Sequence, residues 1–509
     1  SMIKLSGALT EKIERGSELY KKLSSANSRL AIKDATLWGP DAEAEASIRL
    51  NWVDLPESSR ELLPELDALA AKFRGRKVIL CGMGGSSLAP EVIAGTYKKN
   101  LFVFDLTDPN YAAHAIEQDL SNSVVVVSSK SGSTIETAAQ RAAMEGALLA
   151  QGLDPKGHLI FVTDPGSPLD QEVRANCYTV INADPNVGGR FSALSAFGLV
   201  PAALIGVDPS LLIDSAAAQK EALLKPENVA IDLAYLLCTQ SEQFIAFADS
   251  KALPGLSDWI EQLVAESTGK DQIGRLPVVL SNIEEAIGSD QIRISFQSDK
   301  SGGDLVVEGE LGDHFITWEW CTALLGVALG IDPFNQPNVT EAKNATSQLL
   351  AEWNNKLPAL TMNHRESSVE FDGNSLTDEL REIITKSQGY IAILAYLDRH
   401  DDVALIQLRK ILAEKSGKPV TFGWGPRFQH STGQFHKAGQ PNGGFLIITG
   451  DVKADYQVPG REFSFQTLVM AQALGEFRAL TARKYPVSRL HLNDRVIGIS
   501  EILKAASAL

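Results

Sequence analysis

Between residues 76 and 181 the chain alternates two textures. Apolar, β-branched runs at 77–81, 101–104, 123–128, 158–163 and 178–181 are separated by stretches of helical periodicity, each run bounded by Gly, Pro, Asp or Asn. The runs are apolar at successive positions, which predicts strands buried on both faces. Their alternation with helices predicts βαβ units around a parallel sheet. A second series of runs lies at 244–248, 390–396, 419–422, 445–449 and 487–491, interrupted by long helical patterns at 312–329 and 339–353. The residues before 75 are polar and helical in pattern, with Trp38 and Trp52 as anchors for the next domain. The expectation is an α/β chain: a helical segment 1–74, a first domain 75–215, and a second domain 216–509 with a helical insertion at about 310–356.

At 509 residues the chain exceeds what one core organises, which agrees with more than one domain. The net charge of −16 argues against a nucleic-acid partner, which calls for a basic face. An anionic small molecule stays open, because a phosphate site needs only a few local donors. Cys81, Cys177, Cys238 and Cys321 have no paired spacing, so buried thiols in a reducing compartment are expected. The histidines show no metal-ligand spacing. No apolar run is long enough to span a bilayer, and the N-terminal residues lack a signal-peptide core. A cytoplasmic protein without a membrane partner is expected.

Four stretches stand where a strand would feed a helix, the place where open α/β sheets bind ligands. Cys-Gly-Met-Gly-Gly-Ser-Ser at 81–87 lets backbone approach a ligand, although many such turns are simply tight; the dinucleotide spacing and a Walker lysine are both missing. Ser-Ser-Lys-Ser-Gly-Ser-Thr-Ile-Glu-Thr at 128–137 carries six hydroxyls, a lysine and a glycine. One or two hydroxyls would serve as a helix cap; six suit a phosphomonoester. Val-Gly-Gly-Arg-Phe-Ser at 187–192 can aim Arg190 into a cleft. In 259–270, Gln262 and Glu266 share one helix face, with Gly269 ending the helix and leaving Glu266 near a flexible rim. For a lone helical Glu, a solvated surface charge is the ordinary alternative.

Taken together these stretches resemble the phosphoglucose isomerases, in the order that family shows. Gly82 to Ser86 looks like its Gly-Ile-Gly-Gly-Ser turn, 129–134 its Ser-Lys-Thr phosphate loop, and 187–192 its Val-Gly-Gly-Arg signature. Residues 266–270 are similar to its Glu-Ser-Asn-Gly-Lys, with Thr268 in place of Asn. Residues 333–343 resemble its Phe-Asp-Gln-Pro-Gly-Val-Glu run, keeping the step from Gln336 to Lys343, and 429–439 resembles its Gln-His segment, placing the histidine on His430. The histidine motif follows the lysine motif here, an order shared with the isomerase half of transaldolase–phosphoglucose isomerase fusions. His314, in Gly-Asp-His-Phe, is the competing candidate.

The resemblance implies two sugar-isomerase (SIS), flavodoxin-like domains and a reversible glucose 6-phosphate to fructose 6-phosphate isomerisation through a cis-enediol(ate). It implies Glu266 as proton shuttle, Arg190 as the cation beside the enediolate, and His430 with Lys343 for ring opening. Ser129, Lys130, Ser131, Ser133 and Thr134 would hold the phosphate, and Gly85, Ser86, Gln262 and Gln336 would orient the sugar. No metal or cofactor is expected, and the assembly it suggests is a homodimer. Two rivals are an enzyme that also accepts mannose 6-phosphate, and a non-catalytic sugar-phosphate sensor. A sensor would have no need of Glu266, Arg190, Lys343 and His430 together.

Overall fold

The computed structural model describes residues 2–297 and 303–509. Its strands form three sheets. The first contains Phe102–Phe104, Lys77–Cys81, Ser123–Ser128, Leu159–Thr163 and Thr179–Asn182 in that spatial order, all parallel. Numbered along the chain this is the order 2-1-3-4-5 of a flavodoxin-like sheet. Its switch point lies between Lys77–Cys81 and Ser123–Ser128, where loops leave a crevice for a ligand. The central strand Ser123–Ser128 is buried at every residue, as its unbroken run of valines requires.

The second series of runs divides between two sheets. Phe244–Ala248 pairs with Leu276–Leu280 and Gln291–Ser295, forming a middle sheet that continues through Leu305–Glu308 to an antiparallel N-terminal strand, Lys4–Ser6. The later runs form a separate C-terminal sheet in which Val487–Leu492, Gly443–Gly450, Tyr390–Ala395 and Val420–Trp424 are parallel; Val369–Phe371 and His364–Glu366 extend it antiparallel. A strand's apolarity states that it is buried and says nothing about its partner. Leu276–Leu280 escaped notice because Pro277 argues against a strand. It is tolerated because this strand is an edge of the middle sheet.

The helical insertion consists of Leu311–Leu329 and Thr340–Glu352. The former is buried from Leu311 to Val327, as its all-round apolarity demands. Trp52 stacks on Phe191 at 5.1 Å and meets Trp320 edge-on at 6.1 Å, while the Trp38 indole donates to the Ala323 carbonyl. Both tryptophans thus anchor the N-terminal segment onto the insertion. Cys81 and Cys321 are buried, but Cys238 is half-buried and Cys177 is exposed, against the expectation that all four are buried. Among the described residues, no helix is long and apolar enough to cross a membrane.

Candidate functional site

The glycine turn after Lys77–Cys81 packs against two other site segments. A Cβ on Gly85 would stand 1.8 Å from the Gly189 carbonyl oxygen, and one on Gly84, whose φ is +58°, would stand 2.9 Å from the Gln262 amide nitrogen. The turn is glycine because backbone must approach backbone here. This contact brings the arginine segment and the helix Leu256–Thr268 to the switch point.

Arg190 is buried, and all five of its N–H groups donate. Nε donates to Ser267 Oγ (2.7 Å), Nη1 to Glu266 Oε1 (3.0 Å) and Gln336 Oε1 (2.9 Å), and Nη2 to the carbonyls of Pro333 (2.6 Å) and Asn335 (2.9 Å). The neighbouring Phe191, clamped under Trp52, holds its backbone in place. Glu266 is only 7% exposed, so it is neither a solvated surface charge nor on a flexible rim. Burial raises its pKa above the ordinary carboxylate value, with Arg190 and His430 opposing. Gln262, one turn earlier, donates to the His430 carbonyl at 2.9 Å.

His430 ends a short turn, Arg427–His430, that follows the strand Val420–Trp424. Its Nε2 lies 2.9 Å from Glu136 Oε1, which leaves Nδ1 free. Burial pulls the imidazole pKa down, but the charge and hydrogen bond of Glu136 more than offset this and raise it above its ordinary value. Burial raises the Glu136 carboxyl, and His430 reverses that to a net depression. The turn is docked to the first sheet by ion pairs: Arg427 reaches Asp105 (2.8 Å) and Glu91 (2.5 Å), and Arg399 reaches Glu91 (2.8 Å).

These groups surround one cavity of about 240 Å³. Of the residues picked out in the sequence, Gly85, Thr134, Arg190, Gln262, Glu266, Gln336, Lys343 and His430 line it; Ser86, Ser129, Lys130, Ser131 and Ser133 do not. The hydroxyl loop lies immediately before the long helix Ile135–Ala150. Thr134 makes no side-chain cap bond, so its hydroxyl is not spent on capping. Ser129 is turned to its own loop, accepting from Gly132 N at 3.0 Å, and Ser131 and Ser133 bond each other at 2.8 Å. The Lys130 ammonium is held by Asp164 Oδ2 (2.5 Å) and the Pro185 carbonyl (2.9 Å), so it does not face the cavity. That corrects its expected charge contribution, because a buried-side carboxylate outcompetes an exposed loop for the ammonium.

His314 is fully buried in Leu311–Leu329, accepts the Trp318 indole N–H at Nδ1, and has its pKa pushed down to about 3 by burial. It does not line the cavity. Glu136 was not picked out as a site residue, although it follows the hydroxyl loop; a first-turn acid is ordinary at a helix N-terminus. The structure also draws His114, Asp398 and Asp401 together, with His114 Nε2 at 2.8 and 3.4 Å from the two carboxylates, an ion-paired group that no local spacing reveals.

Fold and cavity define an α/β protein with a cationic, acidic and hydroxyl-bearing pocket at a flavodoxin-like switch point. Residues 70–284, under half of the chain, match the family model of phosphoglucose isomerase. The chain is 30% identical over 249 residues to a glucose-6-phosphate isomerase of Campylobacter jejuni, covering 45% of this chain and 61% of that protein. It is 28% identical over 279 residues to a glucose-6-phosphate isomerase of Methanocaldococcus jannaschii, covering 49% and 69%. The match to the Campylobacter protein thus spans under two thirds of that relative. A hypothetical protein from Thermus thermophilus superposes with a TM-score of 0.60 at 25% identity, covering 69% of this chain and 100% of its own. The crystal structure of a glucose-6-phosphate isomerase from Chlamydia trachomatis shares the fold, with a TM-score of 0.55 at 21% identity, covering 70% and 89%.

Proposed function

We propose that the chain interconverts glucose 6-phosphate and fructose 6-phosphate by ring opening and proton transfer. The observation that carries this is the juxtaposition, in one cavity, of the Glu266–Arg190 pair at 3.0 Å and the His430–Glu136 pair at 2.9 Å. The chemistry needs both. His430, made more basic by Glu136, would donate a proton from Nδ1 to the ring oxygen as the C1–O5 bond breaks, and the proton that O1 loses as C1 becomes a carbonyl would return to the imidazole through solvent. Lys343, which also lines the cavity, would add positive charge near the departing oxygen.

Glu266 then takes the C2 proton of the open aldose and returns it to C1, while the hydroxyl proton passes from O2 to O1. Atoms and charge balance within the sugar, and the reaction needs no redox partner. Arg190, its five N–H groups all taken by protein acceptors, would act on the enediolate through its fixed positive charge, a preorganised electrostatic stabiliser and not a free hydrogen-bond donor. The depressed exposure of Glu266 keeps its carboxyl poised for proton exchange. Thr134 and the first N–H groups of Ile135–Ala150 would receive the phosphate, with Ser131 and Ser133 beside them. Gln262 and Gln336 would orient the sugar.

A coupled assay converting glucose 6-phosphate and reading fructose 6-phosphate tests this directly. Glu266→Gln is expected to lower kcat by about 10²–10⁴-fold, the range for a positioned general base. No conversion by the wild-type chain would overturn the reading. Retention of more than about a tenth of kcat in the variant would remove Glu266 as the base.

A further inference from the structure

The helix Phe465–Ala482 lies outside the family-model match and supplies nothing that lines the cavity. Two of its residues, Gln472 and Glu476, are four apart and therefore share a face. Both are buried, at 2% and 0% exposure. Gln472 Nε2 donates to Glu136 Oε1 at 3.1 Å, the same oxygen that meets His430 at 2.9 Å. The other end of the Gln472 amide accepts from Thr107 Oγ1 at 2.6 Å. The amide orientation is therefore unambiguous: reversed, it would set a carbonyl oxygen against a carboxylate. On the other flank, Gln429, the neighbour of His430, donates to Tyr396 Oη (2.7 Å) and reaches the Gln472 carbonyl (3.4 Å) and Glu476 Oε2 (3.5 Å). Glu476 is itself fixed by the buried Lys437 ammonium at 2.6 Å.

We infer that Gln472, fixed by Thr107, is a positioning residue for the His430–Glu136 pair, and that this helix is the frame that sets the ring-opening histidine. The inference rests on the isomerase reading for its kinetic consequence, but not for its geometry. Glu136 is a buried side chain whose carboxylate can rotate about its last torsion. A second donor on Oε1, anchored in turn by a hydroxyl, fixes that torsion so that the oxygen points at Nε2. Without it, Glu136 keeps its charge but loses its aim, and His430 loses both its orientation and the partner that raises its pKa. Neither Gln472 nor Thr107 touches the cavity, so neither acts on the sugar.

The test uses Gln472→Met, which keeps length and removes the donor, Thr107→Val, which removes the anchor, and their combination. On cyclic glucose 6-phosphate, Gln472→Met should lower kcat about ten- to a hundredfold with KM little changed, as expected when a catalytic group is displaced without losing binding. Turnover of an open-chain substrate analogue should be unaffected. The double variant should be no worse than Gln472→Met, because the two residues act in one chain of hydrogen bonds. Imidazole titration by NMR, with His430→Ala to assign the resonance, should show the His430 midpoint falling in both single variants. An additive double variant, equal losses on both substrates, or an unmoved His430 titration overturns the inference. If Gln472→Met does not fold, Thr107→Val carries the same three readouts. If wild-type chain shows no isomerase activity, the proposed function fails while the titration still decides this inference.

Discussion

The imidazole of His430 lies 2.9 Å from the carboxylate of Glu136, across 294 positions of sequence. The contact joins the turn after Val420–Trp424 to the first turn of the helix Ile135–Ala150, and it moves the two groups in opposite directions. His430 is raised above 6.5 and Glu136 is depressed below 4.5.

Linkage turns those directions into a pH window. The raised histidine contributes stability that is complete below its ordinary value of 6.5 and is lost as pH rises through its folded value. The depressed carboxyl contributes stability that is complete above 4.5 and is lost as pH falls through its folded value. Both contributions are whole between those two pH values. Glu136→Gln should therefore destabilise the protein most near pH 5 to 6, by about 1–3 kcal/mol for a buried charged hydrogen bond, and less near pH 9. Denaturant unfolding of both proteins across that range measures it. A difference that grows steadily toward alkaline pH would contradict the pairing.

The two candidate histidines separate by substrate. His430→Ala should slow turnover of cyclic glucose 6-phosphate about 10²-fold or more, the worth of a positioned acid, while sparing an open-chain analogue. His314→Ala should act on both substrates alike and lower stability by roughly 1–3 kcal/mol, through the lost Trp318 bond and packing. Selective damage to the cyclic substrate by His314→Ala would mean that ring opening does not depend on the 429–439 segment.

The hydroxyl loop should govern anion affinity. Thr134→Ala removes a hydroxyl that no cap bond employs, and Ser131→Ala breaks the Ser131–Ser133 contact of 2.8 Å. Together they should raise KM for glucose 6-phosphate and the inhibition constant of inorganic phosphate by about tenfold, near 1.4 kcal/mol, with the fold unchanged. Lys130→Met should matter less for phosphate and more for the loop's anchorage, since its ammonium is held by Asp164. Calorimetry with inorganic phosphate reads both, and a larger phosphate loss in Lys130→Met than in the Ser131/Thr134 variant would reverse this assignment.

How much of this was legible depended on the range of the signal. The parallel first sheet was readable because Val124 to Val127 must be buried on both faces, and the hydroxyl loop stood out because six hydroxyls exceed what a cap needs. Glu266, Arg190, Gln336, Lys343 and His430 were reached through motif resemblance, and the fold gathers all five in one cavity. The division into middle and C-terminal sheets was not readable, because Phe244–Ala248 and Tyr390–Ala395 are equally apolar and their partners are set by packing. Glu136 and Gln472 carry no local mark: each is an ordinary helical residue until the fold brings Gln472 and His430 onto the same Glu136 oxygen. The direction of the Lys130 ammonium was likewise decided by Asp164, 34 positions away.

Phosphoglucose isomerases resemble this chain, and shared sites between subunits would let one subunit lend its histidine to another. Here Arg190, Glu266, Gln336, Lys343 and His430 line one cavity within a single chain, and the His430 segment is docked in place by Arg427 on Glu91 and Asp105. These ion pairs lie within one chain, so each segment is expected to serve its own chain's cavity. Two inactive variants, His430→Ala and Glu266→Gln, can therefore be mixed, unfolded together and refolded. If each site takes both residues from one chain, every site in the mixture is defective and activity stays at the level of the separate variants. If subunits shared the histidine, a mixed pair would contain one intact site, and activity near a quarter of wild type would return, following random pairing. Specific activity of the wild type should also stay constant on dilution, since no partner residue is needed to complete the cavity. Recovery of activity in the mixture would show that His430 reaches a neighbouring chain's Glu266, and the cis arrangement would be wrong.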